Sequence, residues 1–183
     1  MSSTRKSNKK AAEVSPSADL LSHPFPPLID KDSKILILGS FPSIKSFEKS
    51  FYYSHPTNQF WKILATLFND ETPGSIDEKK EFLKKNKIAL WDMVKSCSRS
   101  NSLDSSLKEI EVNDIESLLK AYPDIEAVFF TGRLSQKLFL KHFSHLEIPN
   151  FYLPSPSSAN AGMNFEDKLK RWAVLKDFLH NLR

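Results

Sequence analysis

From about residue 33 onward the chain alternates short apolar runs with longer stretches whose apolar residues recur every three or four positions. The runs Ile35–Leu38, Ile88–Trp91, Ala127–Thr131 and Asn150–Leu153 predict strands. They are apolar through most of their length, as strands covered on both faces are. Helical periodicity fills the intervals. Trp61, Leu64, Leu67 and Phe68 share one side of a helix over 58–68, and Ser75 with Glu78 forms a capping box for a helix that runs to Asn86. Asn113-Asp114 caps another, which Pro123 ends, and Gly132 turns the third strand into a helix over 134–143. The last helix starts near Asn164. It carries Phe165, Leu169, Trp172, Leu175, Leu179 and Leu182 on one side, and Lys168, Lys170, Lys176 and Asp177 on the other.

Strands alternating with helices predict an α/β fold, a three-layer αβα domain around a central, mostly parallel four-stranded sheet. There is no internal repeat. Residues 1–29 have a different character, rich in Ser, Lys, Pro and Ala, with Arg5, Lys6, Lys9 and Lys10 ahead of any acid. They are expected to form a disordered basic tail that adds sequence-independent attraction to phosphates or serves in targeting. The folded domain is then 30–183.

Composition narrows the partners only slightly. The 183 residues hold 26 Lys and Arg against 22 Asp and Glu, a net charge of +4. That balance is compatible with a polyanion. The single cysteine, Cys97, excludes an internal disulfide framework and reads as a small buried apolar group in a reducing compartment. No run approaches a membrane span, and no signal-peptide pattern opens the chain, so an intracellular protein is expected, in a bacterial cytoplasm or a nucleus.

Three segments carry candidate chemistry. Gly39-Ser40-Phe41-Pro42-Ser43 follows the first strand, and open α/β sheets bind ligands at the carboxyl ends of their strands. Tyr52-Tyr53-Ser54-His55-Pro56-Thr57-Asn58-Gln59-Phe60-Trp61 sets rings beside hydrogen-bonding groups, as a pocket for a flat, polar heterocyclic base requires. Leu153-Pro154-Ser155-Pro156-Ser157-Ser158-Ala159-Asn160-Ala161 follows another strand and would form a second wall of the same cleft. Asn58 also suits a helix cap, and the two roles are compatible. His55 reads as a pocket group, a core histidine or a partner within its turn. His142 and His145 lack a third ligand, so no metal is expected.

GSFPS, YYSHPTNQFW, IALWDMVKSCSRSNSLDSSL over 88–107, NDI over 113–115, VFFTG over 128–132 and LPSPSSANA occur in one order across nearly all of 33–183. In this the chain resembles the uracil-DNA glycosylase superfamily, and within it the hypoxanthine-DNA glycosylase branch. The resemblance implies a glycosylase that hydrolyses the N-glycosidic bond of a deaminated base, hypoxanthine first and uracil second, as a monomer on DNA with no cofactor. It implies Asn58 as the catalytic residue. Gly39, Ser40, Phe41, Tyr53, His55 and Ser155 would hold the substrate, with Tyr53 stacking on the extruded base. Ser157, Ser158, Ala159 and Asn160 would meet DNA, and Lys45, Lys95 and Arg99 are candidates for phosphate contacts. Phe41 stands where a related branch has a catalytic amide or acid, and Thr131 where many branch members have asparagine. No lysine lies in GSFPS or LPSPSSANA, so no Schiff base with the sugar is expected. A uracil-preferring enzyme, or a catalytically silent nucleic-acid-binding module, remains an alternative at this point.

Overall fold

The structure, a computed structural model, describes residues 20–182. The basic cluster from Arg5 to Lys10, and the tail expected over 1–19, lie outside the described residues. In chain order the elements are β1 (Leu21–Ser22), β2 (Ile35–Gly39), α1 (Ile44–Glu48), α2 (Phe60–Phe68), α3 (Ile76–Lys85), β3 (Ile88–Asp92) and β4 (Val94–Ser98). A 3-10 turn (Asp104–Ser106) leads into β5 (Lys108–Val112), α4 (Ile115–Ala121), β6 (Ala127–Thr131), α5 (Arg133–Phe143), β7 (Asn150–Leu153) and α6 (Phe165–Asn181).

Four strands form the central sheet in the order β3-β2-β6-β7, and every pairing is parallel. Side chains alternate between its faces. Ile35 and Ile37 enter one core with Phe60, Leu64, Phe82, Trp172 and Leu175. Leu36 and Leu38 enter the other with Ile115, Leu118, Leu138, Phe139 and Cys97. The three layers expected from the alternating pattern are therefore present: α2, α3 and α6 cover one face, and α4 and α5 the other. Fully covered strands have no polar face to expose, which is why the apolar runs are continuous.

The winding of the sheet decides where a ligand binds. From β2 the chain passes to β3 on one side, then returns to β6 on the other. Winding reverses at β2, and the crevice beyond its carboxyl end is the switch point where such sheets open a binding site. Gly39 is the last residue of β2.

Three features depart from the sequence reading. The stretch 96–106, polar and without an apolar run in the sequence, includes the end of β4. With β5 and β1 that strand makes a second, antiparallel sheet in the order β1-β4-β5. Its polar, interrupted ladder (registers shift on either side of Ser96) hid the strand period. The short α1, capped by Ser43, also escaped notice. Finally, residues 20–29 are not tail. Leu21 pairs with Cys97, and Leu28 exchanges backbone hydrogen bonds with Leu90. Phe25 packs on Tyr52, whose hydroxyl donates to the Pro26 carbonyl (2.9 Å). Polar and proline-rich composition concealed apolar anchors that act only against a partner surface.

Candidate active site

A cavity of about 350 Å³ opens at the carboxyl ends of the central strands, a size usual for small-ligand sites. Gly39, Tyr53, Asn58, Ser155 and Asn160 all line it, so the three segments singled out in the sequence meet around one space.

The first wall follows β2. Met93 N–H donates to the Gly39 carbonyl (2.8 Å) and Val94 N–H to that of Ser40 (3.0 Å), tying this turn to the start of β4. Ser40 Oγ donates to Asp104. Phe41 lines the cavity while its ring packs between Phe47 and His23. The Arg99 guanidinium lies over Phe41 and Phe47 and donates to the Pro42 carbonyl. Arg99, expected as a phosphate contact, instead braces this loop from behind. Burial holds its guanidinium pKa below the ordinary value.

Tyr53 and Asn58 form the next wall. The Tyr53 ring stacks on Phe60 with centroids 3.8 Å apart and planes 4° from parallel, and its hydroxyl shares a 2.7 Å hydrogen bond with Thr131 Oγ1. A bulky residue pays steric strain at positive φ, and Tyr53 sits at φ 51°. The surrounding contacts impose that conformation and aim the ring into the cavity. Burial, reinforced by Asp92, pushes the phenol well above its usual pKa, so it stays neutral. Helix α2 begins at Phe60 rather than at Asn58, and its cap residue, Gln59, makes no side-chain cap bond. Asn58 does that work from one position upstream, accepting the Phe60 N–H at Oδ1 (2.9 Å). The cap orients the carboxamide, leaving Nδ2 without a protein partner among the described residues.

The third wall is the loop after β7. Asn160 Nδ2 donates to the Ser155 carbonyl (3.3 Å), Ser155 Oγ accepts from Ser157 N–H, and Ser157 Oγ accepts from Ala159 N–H. Gln59 N–H donates to Pro156 O (2.9 Å). Lys168, which the helical pattern assigned to the polar side of α6, is only 2 % exposed. Its ammonium donates to Gln59 Oε1 (3.0 Å) and Ser157 O (3.2 Å), so one buried cation joins two walls. Tertiary demand at the loop overrode the helical pattern.

No carboxylate pairs with Lys168 among the described residues, and burial lowers its pKa. Below the folded value the burial cost is present in full, and stability climbs as pH rises from there to the unfolded value of 10.5. Lys168→Met should abolish that alkaline gain relative to wild type in chemical denaturation at several pH values. It should also raise amide exchange across 155–160 about tenfold, because hydrogen bonds from a charged donor contribute ~1.5 kcal/mol or more. Unchanged exchange in that loop would refute the clamp.

Charge inside the cavity was missed by sequence reasoning. Asp92 ends β3 and is buried, its Oδ2 2.8 Å from His23 Nε2. Asp104 enters from the 3-10 turn, accepting from Ser40. Enclosure by protein lifts its pKa above the ordinary aspartate range; the Ser40 hydrogen bond opposes that rise and Asp92 adds to it. Arg133 lies over the Tyr152 ring (3.8 Å), and both line the cavity. Asp92 and Arg133 were findable, since each stands at the carboxyl end of an apolar run. Asp104 was not, because the turn that delivers it has no sequence period.

Two expected residues stand apart from the lining. His55, expected as a substrate contact, stands outside the lining as a turn partner, its Nδ1 3.0 Å from Thr57 Oγ1 and 3.3 Å from Thr57 N. Ser158 is exposed, and its Oγ lies 2.7 Å from Thr57 Oγ1, joining the two loops at the rim. Lys45 and Lys95 lie in exposed pairs with Glu48 and Glu111. Cys97 is buried, which pushes its thiol pKa up, as a packing role requires. His145 pairs with Glu116, and no group of three or more potential metal ligands occurs among the described residues.

Comparison with known proteins bears on this geometry. A Methanosarcina acetivorans protein named hypoxanthine DNA glycosylase is 36 % identical over 137 residues, covering 74 % of this chain and 86 % of that one. One of the same name from Methanosarcina barkeri is 38 % identical over 112 residues, covering 61 % and 71 %. The solution NMR structure of a candidate uracil DNA glycosylase from M. acetivorans superposes with a TM-score of 0.77 at 30 % identity, over 88 % of this chain and 99 % of that one. Residues 26–176 match the family model of the uracil DNA glycosylase superfamily, a span that holds all three walls of the cavity and the sheet beneath them, and the chain belongs to that superfamily.

Proposed function

We propose that the chain is a monofunctional DNA glycosylase that flips a deaminated nucleotide out of DNA and hydrolyses its N-glycosidic bond, with hypoxanthine as the preferred base. One observation carries the reading: Tyr53, Asn58 and the 155–160 loop face a single base-sized cavity at the switch point of a superfamily member. The preference for hypoxanthine rests on the names of the two Methanosarcina relatives.

The roles follow from the chemistry. Departure of the base builds positive charge on the sugar and negative charge on the base. One face of the Tyr53 ring is taken by Phe60, so the other is the face on which an everted base stacks, contributing ~1–3 kcal/mol toward the cost of extrusion. Asn58, its oxygen oriented by the Phe60 N–H, offers Nδ2 to the sugar or base and a remaining lone pair to the attacking water. Ser157, Ala159 and Asn160 approach the duplex from the rim, with Ser158 beside them. No lysine lines the cavity among the described residues, in keeping with a reaction that stops at an abasic site. The chain works as a monomer within the cell, and no described helix is long and apolar enough to cross a membrane.

Free hypoxanthine should appear when the protein meets an inosine-containing duplex, faster than uracil appears from the matched uracil duplex. Asn58→Ala should remain folded, losing about 1 kcal/mol with the cap. Its single-turnover rate should fall ~10²–10³-fold, as for removal of one preorganised donor. Folded protein that releases base at the wild-type rate would remove Asn58 from the mechanism. Uracil released faster than hypoxanthine would reverse the substrate assignment.

A further inference from the structure

We propose that Asp104 is a second catalytic residue, the base that takes the proton from the attacking water. The inference rests on the glycosylase reading above and adds to it a group that Asn58 cannot replace. A carboxamide orients water by hydrogen bonding, but it has no useful proton affinity near neutral pH. Attack by water releases a proton, and a positioned acceptor at that moment accelerates such reactions ~10²–10⁴-fold.

The cavity offers few acceptors. Phe41 occupies the turn after β2 with a ring packed against Phe47 and His23. Tyr52 and Tyr53 are phenols that burial keeps protonated. Asp92 is a carboxylate, but its Oδ2 is held by His23, its side chain is 6 % exposed, and the close-packed Gly39 backbone lies against it. Asp104 differs on each count. It is reached by solvent within the cavity, and among the described residues its carboxyl group forms no ion pair and accepts a hydrogen bond only from Ser40.

The groups around Asp104 come from every neighbouring element. Ser40 reaches it from the turn after β2, Asp92 from β3 with His23 behind it, and the buried Tyr53 phenol from the turn before α2. The α5 end presents Gly132, whose added Cβ would lie 4.0 Å from Asp104 Oδ2, and the Arg133 side chain lines the same cavity. Asp104 thus lies beside the carboxyl end of β6, with Asp92 and the neutral Tyr53 phenol near it. Asp92 favours proton uptake at Asp104, while the Ser40 hydroxyl keeps the carboxylate available.

In the step assigned to it, the water oxygen bonds to C1′ as the C1′–N9 bond breaks, and that electron pair leaves with the purine. The water proton passes to Asp104. The purine anion takes a proton from solvent at a ring nitrogen, and Asp104 returns its own to solvent. The carboxylate also faces the sugar while positive charge develops there.

Single-turnover release of hypoxanthine from an inosine duplex, followed from acid to neutral pH, tests this. Wild type should show a rate that rises with pH through an apparent pKa above the ordinary aspartate value and then levels. Asp104→Asn should lower the plateau rate at least 100-fold and erase the acid limb, with duplex affinity by fluorescence anisotropy within twofold of wild type. Its melting temperature should not fall, since the change removes a charge that its surroundings disfavour. Ser40→Ala removes the hydrogen bond that stabilises the carboxylate, so the acid limb should move to higher pH. Release by Asp104→Asn within threefold of wild type, an acid limb that survives in it, or a limb unmoved by Ser40→Ala overturns the role of Asp104 and leaves the glycosylase reading intact. Wild-type protein that releases no base overturns both.

Discussion

Gly39→Ala should eliminate measurable base release and lower stability by about 3 kcal/mol, the upper part of the range for forced overpacking. An added Cβ would fall far inside van der Waals contact with Asp92 Oδ1 and 2.8 Å from the Tyr53 hydroxyl oxygen. Neither neighbour has room to yield. Asp92 is buried and held by His23, while Tyr53 is stacked on Phe60 and bonded to Thr131. Glycine is required here for close approach of side chains to the strand end, with no need for an unusual backbone angle. Displacing the tyrosine platform by about 1 Å suffices for a ~10²-fold loss in rate through misalignment, and displacement of Asp92 and Ser40 compounds it. Urea denaturation with an inosine-cleavage assay reads both effects. A Gly39→Ala protein with wild-type midpoint and rate would mean the strand end is looser than its packing requires.

His23→Ala should cost about 3 kcal/mol, because it leaves the buried Asp92 side chain without its hydrogen-bond partner. The His23 side chain is 4 % exposed and that of Asp92 6 %, so water cannot replace the lost 2.8 Å contact. The ring also packs edge-on against Phe25 and Phe41, so its loss loosens the floor of the cavity as well as the segment that carries it. Combining His23→Ala with Asp92→Asn should recover part of the stability, because the second change removes the orphaned carboxylate. A double-mutant cycle by thermal and chemical denaturation measures the coupling. Coupling below ~0.5 kcal/mol would show that the pair is not a structural tie.

These two sites divide differently between sequence and tertiary structure. The importance of Gly39 was legible, because an apolar strand that ends in glycine at the edge of a parallel sheet marks the place where ligands bind. The importance of His23 was not. It sits among Ser22, Pro24 and Pro26, a composition indistinguishable from the tail before it, and its partner is 69 residues away. His55 is the opposite case. Its place inside the most recognisable motif suggests a substrate contact, yet among the described residues its ring hydrogen-bonds Thr57, two residues on, and stands outside the cavity lining. Sequence neighbours in a turn share a motif without sharing a direction.

Lys168 and Asp104 extend the point. A lysine at a helical step opposite leucines reads as solvated, and only the packing of α6 under the 155–160 loop turns it into a buried clamp. Asp104 lies in a serine-rich stretch with no strand or helix period, and the 3-10 turn points it at Ser40.

The layers, the parallel strands and the three segments that wall the cavity were decided along the chain, since burial on both faces of a sheet writes itself as unbroken apolar runs and strand ends follow from them. Which charges enter the cavity, and which cation joins its walls, was decided only on folding. Pairing of polar groups depends on distances between residues far apart in sequence, and no local period encodes a distance of that kind.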